Sequence, residues 1–284
     1  MKKISTFFFS TLPCLLGIGL QFLVSFYMML LSAIFVFSAM PNSSTNRKID
    51  YLMQLWGNMD FNTIIMIAFS ISCMATFGLW YYKSCGGDFK PNLKKTFHPL
   101  QIAGIICLVP GTQFMSSILV SLISSVFPSW LESYEALIEN AGLNDNISTA
   151  MMIYSVCLAP ISEELIFRGV TMRIARRAFP FWIANMIQAV LFGVFHMNML
   201  QGCYAFALGL FLGYICEYGG TIYHVILFHF LFNLWGTTAS EWLSSVNPAL
   251  GGFLILFGTS VGLGVGIKLF NKGTKQLQLS ANIQ

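Results

Sequence analysis

Two adjacent glutamates and an arginine, Glu163, Glu164 and Arg168, stand inside an otherwise apolar run that begins near Ala150. Two later apolar stretches carry His196 and the pair His229 and Asn233. An ionisable group at mid-bilayer costs roughly 2.5–3.5 kcal/mol on insertion scales, so neighbouring carboxylates there need partners, a wet cavity or a proton. A carboxylate and imidazoles converging on trapped water can perform general acid–base chemistry. An amide N–H such as that of Asn233 suits a developing oxyanion.

The elements that must position these groups are membrane helices. Of 284 residues, 56% are hydrophobic and only 9% charged, against roughly 25% charged in a soluble domain. The apolar runs are long enough for helices of about 20 residues and far longer than the strands of a transmembrane barrel. The expected fold class is therefore all-α, a polytopic bundle. A net charge of +4 reads as basic cytoplasmic loops and not as a nucleic-acid surface. The seven cysteines are scattered, with no C-x-x-C, and indicate neither a disulfide framework nor a thiolate metal site. Met1-Lys2-Lys3 precedes an uncharged run to Met40, which exceeds a cleavable signal and reads as an uncleaved first helix.

About eight spans are expected, at 11–40, 62–82, 100–127, 148–177, 181–198, 203–217, 222–237 and 250–270. Pro13 should bend or fray the start of the first, and Pro110 should break or kink the third. Pro41–Asp60 reads as a polar connection with a loop signal at Asn42–Asn46, and Lys83–Phe97 as a basic loop. Leu131, Tyr134, Leu137 and Ile138 allow a short surface helix, with Asn146 or Ser148 capping the fourth span. With both termini in the cytoplasm, that side collects Lys2, Lys3, Lys83, Lys90, Lys94, Lys95, Arg173, Arg176, Arg177, Lys268, Lys272 and Lys275. Arg47 and Lys48 fall outside, beside the acidic 128–147 segment, in agreement with the positive-inside rule. The chain reads as one membrane domain, 1–284, with a core at 150–237 and accessory helices at 1–127 and 250–270.

Counted outward from the turn near Phe179-Pro180, Glu163 and His196 each lie about 22 Å along their helices at 1.5 Å per residue, hence at matching depth. The i, i+4 spacing puts His229 and Asn233 on one helical face, and Glu164 and Arg168 on another. Buried polar groups without partners are costly, so a shared cavity is their natural place.

Glu-Glu-x-x-x-Arg at 163–168, Phe-x-x-x-His at 192–196 and His-x-x-x-Asn at 229–233, in that order, resemble the CAAX protease and bacteriocin-processing family of intramembrane glutamic endopeptidases. The resemblance implies that Glu163 is the general base and that His196 helps hold and polarise the water. It implies that His229 and Asn233 stabilise the oxyanion and that Glu164 and Arg168 form a supporting pair, with Phe192 beside them. It implies proteolysis of a membrane-associated peptide or protein at the cell membrane, with no cofactor, the lipid bilayer as surroundings and no nucleic acid. Zinc is the second choice, since two histidines and a glutamate formally make a ligand set, although His-Glu-x-x-His is absent. The compact chain fits the bacterial branch, whose members are associated with bacteriocin maturation, self-immunity and peptide-signal processing.

Plainer readings stand beside each motif. Glu163, Glu164 and Arg168 could be an ion-pair network for packing, His229 and Asn233 interhelical hydrogen bonds, and Phe192 simple packing. His224 has no place in the pattern and reads equally as structural. Arg173, Arg176 and Arg177 read as a topology anchor and phospholipid contact, and Gly209, Gly213, Gly219 and Gly220 as sites of close approach and a tight turn. A non-catalytic membrane partner that kept the fold is one alternative function. A proton-coupled transporter is another, disfavoured by the absence of internal repeats.

Overall fold

The computed structural model describes residues 2–84, 86, 96–143, 147–238 and 247–282. Ten helices and no strand occur among them: α1 (Lys2–Ala39), α2 (Thr45–Trp56), α3 (Met59–Ser84), α4 (Pro99–Val126), α5 (Pro128–Asn140), α6 (Thr149–Arg176), α7 (Phe181–Phe195), α8 (Met199–Gly219), α9 (Ile222–Thr238) and α10 (Pro248–Asn282). Six of them, α1, α3, α4, α6, α8 and α10, are long and apolar enough to cross a membrane. The expected spans at 181–198 and 222–237 are helices too, but of only 15 and 17 residues, shorter than a hydrocarbon core of about 30 Å requires of an upright helix. The chain is a polytopic helical membrane protein.

The distribution of side chains is that of a protein solvated by lipid. Phe8, Phe22, Phe26 and Phe35 of α1 and Phe253, Leu256 and Phe257 of α10 face outward, while Gln101, Glu164, Arg168, Asn185, Gln188 and His224 are fully buried. With no water in the bilayer core, polar groups must satisfy one another inside the bundle.

Several expectations are corrected. The 41–60 connection contains α2: the loop signal covers only its entrance, where Ser44 caps the helix by accepting the Arg47 N–H. Ile49, Leu52, Met53 and Trp56 then recur at helical spacing, and the Trp56 indole donates to Ser32 Oγ of α1 at 2.9 Å. Pro110 does not break α4, which runs through it; the next turn is reinforced because the Thr112 hydroxyl lies 2.9 and 3.0 Å from the carbonyls of Leu108 and Val109. Pro13 lies within α1, which has already begun at Lys2. The expected surface helix is α5. Of the basic loop, residues 85 and 87–95 lie outside the described residues, as does Asn146; Ser148 is the cap seen on α6.

Close approach rests on glycine. A Cβ on Gly262 of α10 would sit 2.9 Å from the Cys107 carbonyl oxygen and Gly111 Cα of α4, so these helices meet backbone to backbone. Gly213 of α8 admits the Asn185 side chain in the space a Cβ would fill. Gly220 ends α8 in the left-handed conformation at φ +77°.

Candidate active site

The helix that carries the glutamates is irregular, and the sequence explains one irregularity. Around residues 154–158 the turn of α6 widens, and the Ala159 N–H donates to Tyr154 O, five residues back. In that register the Ser155 carbonyl needs the N–H of residue 160, and Pro160 has none. Asn233 of α9 supplies the missing donor, its Nδ2–H reaching Ser155 O at 2.8 Å. A second wide segment, Leu165–Met172, follows the glutamates. Such turns frequently mark functional sites within helices.

This accounting gives a prediction for stability. Asn233→Ala should cost about 1–3 kcal/mol, because a carbonyl within the bundle loses its donor. In a Pro160→Ala background the restored N–H can take over, and the same substitution should cost less than half as much. Unfolding of the four proteins in detergent measures the coupling, and equal costs in both backgrounds would contradict the hydrogen-bond account.

Beyond the Pro160 turn the two carboxylates separate. Glu164 is fully buried: its Oε1 accepts from Arg168 Nη1 at 2.9 Å and from His229 Nδ1 at 2.7 Å. Arg168, equally buried, also donates from Nη2 to the Gly209 carbonyl at 3.2 Å and lies over the Phe192 ring, 4.5 Å from its centroid. Glu163 faces the other way, into a cavity of about 1960 Å³. Its Oε2 is 3.8 Å from His229 Nε2, too far for a direct hydrogen bond.

His229 therefore stands between the glutamates. A carboxylate can only accept, so Nδ1 carries a proton toward Glu164 and the Nε2 edge is presented to Glu163. The same argument orients His196: its Nδ1 is 2.8 Å from the Phe192 carbonyl and must donate, which directs the other nitrogen away from that bond. His196 is not inside a helix as expected. It is the C-cap of α7, followed by Met197 at φ +50° and by Asn198, whose side chain caps α8. Because α7 stops there, space is left beside the first half of α6, and that space is the cavity.

Glu163, His196, His229 and Asn233 all line the cavity, together with Tyr154 and Ser155. Glu164 and Arg168 lie behind it. Phe192 is buried against the rings of His196 and His229, with centroids 4.8 and 6.0 Å away. His224 is elsewhere: its ring nitrogens lie 3.0 Å from Thr221 Oγ1 and 3.2 Å from Gln101 Oε1, in a network that also ties Thr274 of α10. It is a structural histidine.

Sequence reasoning missed the groups that hold Arg168 from behind. Gln188 donates to the same Gly209 carbonyl at 2.9 Å and to Asn185 Oδ1 at 2.6 Å, and Asn185 donates to Leu210 O at 3.1 Å. Two amides at i, i+3 in an apolar helix, one turn before Phe192, were the available signal. It also missed Gln113, whose amide donates to the Phe232 carbonyl at 2.6 Å beside the cavity.

No curated protein and no solved structure matches this chain. Residues 145–235, the segment that carries all three motifs and the helices holding them, match the family described as type II CAAX prenyl endopeptidase Rce1-like, a match that implies an intramembrane protease function.

Proposed function

We propose that the protein is an intramembrane glutamic endopeptidase in which Glu163 activates water for attack on a peptide bond of a membrane-associated substrate. The observation that carries this reading is the division of labour between the glutamates: Glu164 is held by Arg168 and His229, while Glu163 reaches the cavity with His229 Nε2 at 3.8 Å. One water beside that pair is within hydrogen-bond reach of both. Glu163 takes its proton as oxygen attacks the carbonyl carbon, and the protonated carboxyl returns it to the leaving amine. His196 holds and polarises the water. The second N–H of Asn233, the first being committed to Ser155, stabilises the oxyanion together with His229 once its Nε2 also carries a proton. Glu164 and Arg168 keep His229 in its orientation, and Phe192 packs the two imidazoles in place.

In this reading the protein resides in a bacterial cell membrane with both termini in the cytoplasm, and the core at 150–237 does the chemistry while the remaining helices enclose it. Peptide maturation or self-immunity are the roles such an enzyme would serve. The test is hydrolysis of a labelled membrane peptide by the purified protein in detergent, with and without a strong chelator. Cleavage that survives chelation supports the glutamic mechanism. Cleavage abolished by chelation and restored by zinc would replace it with a metallopeptidase, and absence of cleavage of a broad peptide set would favour the non-catalytic or transporter readings.

The orientation adds a prediction of its own. The cavity extends to α5, where Glu135 and Glu139 line it, and in this reading α5 lies on the acidic non-cytoplasmic side. Glu135→Cys should react with a membrane-impermeant maleimide added to intact cells, whereas Lys275→Cys should react only after permeabilisation. The reverse pattern would invert the topology and the side from which substrate is presented.

A further inference from the structure

At the C-terminal end of α6, away from the cavity just described, a cleft of about 370 Å³ runs between α6 and α8. Its rim carries Arg173, Arg176 and Arg177, and its buried lining includes Arg168, Met172 and Cys216. Among the described residues lining it Glu217 is the one acidic residue, and that carboxylate is already paired with Arg176 at 2.9 Å. Arg177 donates to a neutral backbone carbonyl, that of Ser84. The described lining is thus positive in balance.

A second observation points to a ligand. The Arg168 guanidinium uses Nη1 on Glu164 and Nη2 on Gly209, while its Nε–H, fully buried, has no partner among the described residues. A buried donor left unpaired costs about 1–3 kcal/mol, so such a group in a polar, roomy site calls for an acceptor. Arginine forks match the oxygens of phosphate better than those of any small neutral acceptor. Where basic side chains gather at a membrane surface, the phosphates of acidic lipids are the anions at hand.

We propose that this cleft binds a phosphate group, gripped at the rim by Arg176 and Arg177 and reaching Arg168 Nε directly or through one water. It is a site separate from the cavity and independent of the protease reading. A mere topology anchor needs only charge on the correct side of the bilayer; a cleft whose lining includes a residue with an unpaired buried donor can discriminate by headgroup.

Native mass spectrometry of the full-length protein in detergent, given phosphatidylglycerol or phosphatidylcholine, tests the proposal. Retention of one phosphatidylglycerol with at least about tenfold preference is expected of a fork-held phosphate, and it should fall to the phosphatidylcholine level in Arg176→Gln/Arg177→Gln. If that variant fails to fold, Arg176→Lys/Arg177→Lys keeps the charge and loses the fork, and the preference should drop at least about threefold. A parallel arm follows the melting temperature in millimolar inorganic phosphate. A saturable rise in wild type alone, without lipid preference, identifies free phosphate as the source. Equal retention of the two lipids with no response to phosphate, or a preference unchanged in the Gln variant, would overturn the proposal.

Discussion

Glu163→Gln is expected to lower kcat for cleavage of a labelled membrane peptide by about 10²–10⁴-fold, the range general-base catalysis supplies, with little change in KM. The amide matches the carboxylate in shape and can still face the cavity, but it cannot accept a proton. The other carboxylates among the described residues are placed elsewhere. Glu164 is buried behind the cavity, its Oε1 accepting from Arg168 Nη1 and His229 Nδ1, and among the described residues lining the cavity Glu135 and Glu139 belong to α5. The variant should also melt within a degree or two of wild type, because Glu163 makes no hydrogen bond among the described residues that its amide would forfeit. Undiminished cleavage would remove Glu163 from the mechanism. Full phenotypic rescue by the variant in cells would favour a non-catalytic partner instead.

Arg168→Met is expected to be the most destabilising single change, at about 3–5 kcal/mol, the cost of leaving a buried charge without its partner. Glu164, fully buried, would keep only His229, and the Gly209 carbonyl would keep only Gln188. Glu164→Leu should cost a similar amount for the mirror-image reason. Glu164→Leu/Arg168→Met together should cost clearly less than the two separately, because the orphaned charge disappears with its partner. Reversible unfolding by detergent titration reads all three. Additive losses would mean that the pair is not the coupled unit its geometry implies. Activity should fall in every one of them: the two variants with Glu164→Leu take away the acceptor of His229 Nδ1, and Arg168→Met leaves that acceptor without its anchor.

How far the chain could be read without coordinates follows from which interactions are local. Lipid forces apolar stretches into helices, so the helices from Pro99, Thr149, Met199 and Ile222 were legible to within a few residues from composition and caps. The i, i+4 pairing of Glu164 with Arg168 was legible for the same reason. What was hidden is contact across long separations. Adjacent glutamates point about 100° apart on a helix, and nothing local says that Glu164 is the one to meet His229, 65 residues away. The wide turn before Pro160 could be suspected from the proline, but its completion by Asn233 depends on how α9 packs against α6. Helix α2 was hidden by its own entrance, where Asn42-Ser43-Ser44 reads as loop and ends as cap. Gly262 against Gly111 carried no signal in either helix alone.

The central claim is that Glu163 and His229 act on one water as a unit, and a double-mutant cycle on kcat tests it most directly. Groups that act as a unit show strongly non-additive losses. The account predicts that Glu163→Gln/His229→Gln cleaves the labelled peptide no more than about threefold more slowly than the slower single variant. A double variant slowed by the full product of the two single effects would show independent roles and contradict it.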